Sequence, residues 1–137
     1  MIRLVENKKV VAGFYREIVN NKNINAIEDF LTDDYIYNGE KRGAQGQKFL
    51  VSYYLNAFTH LKNTIEFAVA EADMVCVREN LTGKHTGEFM GVHPTNKTIK
   101  WTSTAMLKIR EGKICEVWDE TDFLTMFKQI GQWPAVR

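Results

Sequence analysis

Apolar positions along the chain change their period near residue 63, and this change divides the sequence into a helical first part and a stranded second part. Leu4, Val11, Phe14 and Ile18 recur at helical spacing while Lys8, Lys9, Arg16 and Glu17 fall elsewhere, which predicts an amphipathic helix ending near Asn20 and Asn21. Ile24, Ile27 and Leu31 predict a shorter second helix, with Asn23 or Asn25 as N-cap and Asp33-Asp34 closing it. Tyr35-Ile36-Tyr37 reads as a brief strand, followed by a polar, glycine-bearing loop from Asn38 to Gly46. Leu50, Tyr53, Tyr54, Ala57, Phe58 and Leu61 then mark one face of a third helix, an apolar stripe wide enough to require a sheet against it.

From Asn63 the pattern alternates, with Ile65, Phe67 and Val69 on one side and Glu66, Ala68 and Ala70 on the other. Val75, Val77 and Leu81 share a face in the next strand, at the parity of Glu79, Gly83 and His85 unless a bulge intervenes. Residues 98–109 and 113–121 supply two further strands. A short helix over 122–130 ends at Gly131, a suitable residue for left-handed termination. Helices first and adjacent strands afterwards predict a single α+β domain over residues 1–137, with three N-terminal helices on one face of a mixed, mostly antiparallel sheet. Strong twist in such a sheet allows it to curl around an apolar cavity.

Composition narrows the partners. The 137 residues are 45% hydrophobic and 26% charged, with a formal net charge of +1. That balance gives no broad field for phosphate backbones or anionic lipid, so a small molecule or a protein is expected rather than nucleic acid or a membrane. Cys76 and Cys115 match neither a zinc-site spacing nor a disulfide framework and are expected to be buried or half-buried thiols. The first residues turn polar at once, without an apolar h-region, and no stretch approaches the roughly 20 apolar residues of a membrane helix. A cytoplasmic, reducing setting is the corresponding expectation.

Two stretches carry a family resemblance. Residues 83–95, GKHTGEFMGVHPT, resemble the G-x-H-x-G-x-F-x-G-x-x-P-T stretch of SnoaL-like polyketide cyclases. Residues 112–122, GKICEVWDETD, followed by Gln129-Ile130-Gly131, resemble that family's G-K-I-x-E-x-W-x-x-x-D strand and its terminal Q-L-G helix. Asn96 stands where the family has glycine after Pro-Thr, a mild change because Asn accepts left-handed geometry. The resemblance implies the curled-sheet cone also seen in nuclear transport factor 2-like proteins, commonly as a homodimer. It also implies closure of an aromatic polyketide ring by intramolecular aldol condensation, without metal or organic cofactor. An aspartate on the last strand serves as acid/base in that chemistry, and by motif it corresponds to Asp122.

Such a reaction needs a C–H proton removed and one delivered to the developing alkoxide, which one carboxylate in a dry pocket can do. Trp118 shares parity with Asp122 and would form pocket wall. The turn at Arg110-Glu111-Gly112 decides what faces them. A two-residue type I′ turn sets Trp101 and Ala105 there, and a three-residue turn with Gly112 left-handed sets Thr102, Thr104, Met106 and Lys108 there. The second is expected, because Glu111 tolerates positive φ poorly. Thr104, Tyr37, His85, Phe14, Tyr54 and Phe58 complete the candidate pocket, although aromatic residues at these spacings also fit plain core. Asp122 has a competing reading as N-cap of the last helix, bonded to the amides of Leu124 or Thr125, which would shift its pKa in the opposite direction. His85 fits a pocket rim or an exposed loop equally well, His60 and His93 fit the surface, and Glu79 fits a buried acid, a bulge or an ion pair with a neighbouring strand. A non-catalytic binding or accessory protein is the rival to the enzyme, resting on the absence of a polar partner at Met106. An isomerase or dehydratase, with Thr104, Tyr37 or His85 as second polar group, is a third reading. Apolar side chains such as Val117 would suit a dimer face.

Overall fold

The computed structural model describes residues 2–134. Helix α1, Ile2–Phe14, runs into a π-helical segment, Tyr15–Asn20, and a 3-10 helix, Ile24–Asp29, follows. Strands β1 (Leu31–Tyr37) and β2 (Glu40–Lys41) precede helix α2 (Gly43–Ala57). The long strands β3 (Phe58–Glu71), β4 (Met74–His85), β5 (Thr98–Arg110) and β6 (Lys113–Thr121) lead to helix α3 (Phe123–Ile130). All strands join one six-stranded sheet in the order β2-β1-β6-β5-β4-β3. Only β1 and β6 pair in parallel; the other neighbours are antiparallel. This is the expected α+β architecture.

The clean alternation of β5 fixes the two faces of the sheet. Ile99, Trp101, Ser103, Ala105, Leu107 and Ile109 are buried beneath the helices, while Lys100, Met106 and Lys108 point away. Val11, Phe14, Ile18, Val51, Met126 and Phe127 close the core from the helical side. At typical values, each such side chain contributes about 1.5–3 kcal/mol on full burial.

Three local departures from the sequence reading have physical causes. The second helix is only a 3-10 stretch, and Leu31 opens β1 because its backbone pairs with Ile114 of β6. Helix α2 stops at Ala57, so Phe58 and Leu61 belong to β3. The amides of Thr86 and Gly87 both bond the Ala57 carbonyl at 3.0 Å, which satisfies the helix end from outside. Gly87 is needed there, since a Cβ would lie 2.1 Å from the Asn56 carbonyl oxygen. A bulge between Ile65 and Phe67 then reverses the parity of β3, and Phe67 and Val69 face outward rather than with Ile65.

The β5–β6 turn differs from expectation more consequentially. Arg110 pairs directly with Lys113, and Glu111 and Gly112 have φ of 51° and 78°, so the turn is the two-residue type I′. A bulge between Lys108 and Ile109 in the pairing then places two consecutive buried residues, Ile114 and Cys115, on β6. Beyond it Met106 pairs with Trp118 and Thr104 with Glu120, so the side-chain neighbours expected of the three-residue turn arise from a shorter turn plus a bulge. Their common face points away from the core.

Candidate active site

Helices and sheet enclose a cavity of about 100 Å³, open at one end and lined by apolar and aromatic side chains. Phe14, Leu31, Tyr37, Tyr54, Trp101 and Val117 form much of its wall. Polar groups interrupt that wall, among them Tyr15, Asn63, Glu79, Ser103 and Asp119. A few convergent polar groups in an otherwise apolar hollow are the usual form of a small-molecule site.

Asp119 reaches the cavity because the Cys115 bulge turns Val117, Asp119 and Thr121 inward. Its Oδ1 accepts from the Ser103 hydroxyl at 2.5 Å, and its Oδ2 accepts from the Tyr37 hydroxyl at 3.2 Å. Asn38 grips the backbone of the same residue: its Oδ1 accepts from the Asp119 amide at 2.7 Å, and its Nδ2 donates to the Asp119 carbonyl at 3.3 Å. Asn38 itself takes a left-handed φ of 49°, which Asn adopts more readily than most residues. Burial raises the carboxyl pKa of Asp119, and the bonds from Ser103 and Tyr37 oppose that rise.

Glu79 sits on β4 directly across from Ser103 and is 2% exposed. Its strand carries no bulge on the β5 side, and the acid is buried without an ion pair, so the salt-bridge and bulge readings do not hold. Tyr15, Ser103 and Asn63 surround the carboxyl, yet Oε1 has no hydrogen-bond partner among the described residues. Burial, helped by the nearby negative charge of Asp119, pushes its pKa up to about 7. Tyr15 arrives through the π-helical segment, whose wider turn puts Phe14 and Tyr15 both on the cavity. The Asn20 side chain fixes that segment to β3, donating to the Asn63 carbonyl at 2.8 Å and accepting from the Asn63 amide at 2.7 Å.

Asp122 lies outside the cavity. It is exposed at the start of α3, where Oδ1 accepts from the Thr125 amide at 3.0 Å and Oδ2 from the Thr125 hydroxyl at 2.6 Å. Those bonds hold its pKa below the usual carboxylate range, as the N-cap reading requires. Trp118 is 45% exposed on the outer sheet face, with Thr104 beside it, so neither is pocket wall. His85 is fully buried rather than at a rim: its Nδ1 and the Thr95 hydroxyl are 3.0 Å apart, and the ring packs on Phe58. Phe58 is core, enclosed by Tyr54, Phe89 and Trp101. Of the expected pocket residues, Phe14, Tyr37 and Tyr54 do line the cavity. His60 and His93 are exposed, Cys76 is half-buried and Cys115 buried, and Asn96 is left-handed with φ 61°.

The glycine-rich stretch 83–95 is thus a packing device that drives Phe89 and Val92 into the core, where they exchange backbone hydrogen bonds. Among the described residues no group of three or more His, Cys, Asp or Glu side chains is arranged to hold a metal ion. No helix among them is long and apolar enough to cross a membrane.

A curved sheet wrapped by helices around an acid-bearing apolar hollow defines the cone-shaped class of small-molecule proteins. Residues 9–130 match the profile of the SnoaL-like polyketide cyclases, and the chain belongs to that family. It is 25% identical over 127 residues to the aklanonic acid methyl ester cyclase DauD of Streptomyces sp. (strain C5), covering 87% of this chain and 79% of that one. Identity to the aklanonic acid methyl ester cyclase AcmA of Streptomyces galilaeus is 26% over 125 residues, with 86% and 87% covered. Among solved structures, AclR of Streptomyces galilaeus superposes with a TM-score of 0.84 at 26% identity, covering 96% of this chain and 99% of that one. IdmH of Streptomyces antibioticus superposes at 0.81 with 26% identity, covering 92% and 99%.

Proposed function

We propose that this protein is a cyclase that closes a ring of a conjugated, carbonyl-bearing polyketide by intramolecular aldol condensation, with Asp119 as the base. The observation that carries this reading is the Asp119 carboxylate, held by Ser103 and Tyr37 inside an apolar cavity. A C–H between two carbonyl groups is acidic enough for a carboxylate whose basicity has been raised by burial. The substrate's conjugation then spreads the enolate charge, and the aromatic wall of Tyr54, Phe14 and Trp101 suits a flat ligand. The relatives named as aklanonic acid methyl ester cyclases, within a polyketide cyclase family, support a polyketide ester as the ligand.

The rival reading as a binding protein rested on Met106 offering no polar partner, but Met106 points away from the cavity and has no bearing on it. The test is incubation with aklanonic acid methyl ester. Conversion to an isomer of equal mass with one additional ring, slowed by about 10²- to 10⁴-fold in Asp119→Asn, is the expected result. Recovery of unchanged ester after prolonged incubation with the wild-type protein counts against the reading.

A homodimer fits the same molecule. Val69, Cys76, Met106 and Trp118 are successive cross-strand neighbours on the outer sheet face and form an apolar row across β3, β4, β5 and β6. Val117, expected to serve such a face, is buried on the inner one. The row is flanked by Arg78 and Glu120 on one side and by Lys108 and Glu116 on the other. Two copies related by a two-fold axis would cover it with opposite charges at the rim. The free thiols fit a reducing compartment such as the cytoplasm.

A further inference from the structure

The mechanism above uses one carboxyl of the cavity and leaves the other, Glu79, without a role. Glu79 is more deeply buried than Asp119, lies in the cavity wall, and carries an oxygen with no partner among the described residues. A buried carboxyl oxygen left unpaired is costly, so its retention in a site wall points to a ligand that completes it. The groups that face Glu79 are Tyr15 from the π-helical segment, Asn63 from β3, Ser103 from β5 and Asp119 from β6. None is a cation. A second negative charge beside Asp119 in this hollow is therefore unfavourable, which favours the neutral form of Glu79. Asp119 has two hydroxyl donors on its oxygens and is the better carboxylate of the two. Glu79, its carboxyl raised to about 7, still carries a proton to give near neutral pH.

We propose that Glu79 is the second proton carrier of the site: in its neutral form it hydrogen-bonds the acceptor carbonyl oxygen of the substrate and gives that oxygen its proton as the ring closes. The inference rests on the cyclase reading. Asp119 takes the proton from the carbon between two carbonyls, leaving the electron pair as an enolate. The enolate carbon bonds the ketone carbon, the ketone π pair moves to oxygen, and that oxygen takes the Glu79 proton. Ser103 stands between the two acids, donating to Asp119 Oδ1 and paired across the ladder with Glu79. Its hydroxyl can return the proton from Asp119 to Glu79, and product and substrate are isomers, so no co-reactant is needed.

The test compares wild type, Asp119→Asn and Glu79→Gln with aklanonic acid methyl ester across pH, together with a carbon-13 NMR titration of labelled glutamate carboxyls in the unliganded wild-type protein. The expected result is a bell-shaped rate profile whose alkaline limb follows one glutamate titrating near pH 7. That resonance should be missing in Glu79→Gln, together with the alkaline limb, and the rate should fall by about 10²- to 10⁴-fold. A Glu79 that titrates in the ordinary carboxylate range overturns the proposal, as does a Glu79→Gln protein with wild-type rate and profile, and in both cases Asp119→Asn remains impaired and the cyclase reading stands. A wild-type protein that leaves the ester unchanged, or an Asp119→Asn protein as fast as wild type, removes the cyclase reading and this inference with it.

Discussion

At the residue scale, the aspartate in the cavity is Asp119, and Asp122, expected there from the motif, caps helix α3. Trp118 and Asp122 do lie on one side of their strand, but the Cys115 bulge turns that side outward and delivers Asp119 to the cavity. A bulge of one residue reverses every side chain beyond it, and regular alternation does not foresee it. The consecutive apolar pair Ile114-Cys115 was the one available signal. Glu79 was legible by parity with Val77 and Leu81; what hid it was the general rule that an acid in an apolar row is paired or displaced. Its burial has a consequence for stability. The pKa rises from an ordinary 4.5 to about 7 on folding, so the folded state holds the proton longer than the unfolded chain. The contribution of Glu79 to stability is therefore full below pH 4.5, declines as pH rises toward about 7, and stays reduced above it. Glu79→Gln is expected to be more stable than wild type at pH 8, by on the order of 3 kcal/mol, with the gap closing in acid. Urea unfolding at several pH values checks this; a gap independent of pH contradicts it.

At the element scale, the periodic segments were readable and their ends were not. The strand at 98–109 and the helix at 122–130 follow their alternation and spacing closely. The end of α2 was missed because its apolar stripe runs on into β3 without a break, and the termination is imposed from residues 86 and 87, far along the chain. The π-helical segment is invisible to periodicity for a similar reason, since it is fixed by Asn20 reaching β3. Helix α3 depends on Asp122 as its cap. Asp122→Ala is expected to lower Tm by a few degrees while leaving ring closure intact. Because the folded carboxyl lies below its usual range, the cap stabilises at neutral pH and is lost as pH falls through the folded pKa. The Tm difference between wild type and variant should accordingly vanish in acid. A variant with unchanged Tm but abolished turnover would restore Asp122 to the chemistry.

At the scale of the whole molecule, the sheet has two surfaces with separate tasks. The inner one, with the helices, makes a largely apolar hollow with two acids; the outer one carries the apolar row that ends at Trp118. Of the residues 112–122 that carry the resemblance, the tryptophan belongs to the outer face and the last aspartate to the helix start. Trp118→Asp is expected to halve the mass seen by sedimentation while leaving the cavity intact; an unchanged mass removes the row from any interface. The central claim is that Asp119 takes a proton from carbon. It is tested most directly with a β-keto ester that has the acidic methylene but no acceptor carbonyl, incubated in deuterium oxide and followed by NMR. Wild type should exchange the methylene hydrogens well above the uncatalysed rate and Asp119→Asn should not, whereas equal exchange by the two proteins would contradict the account.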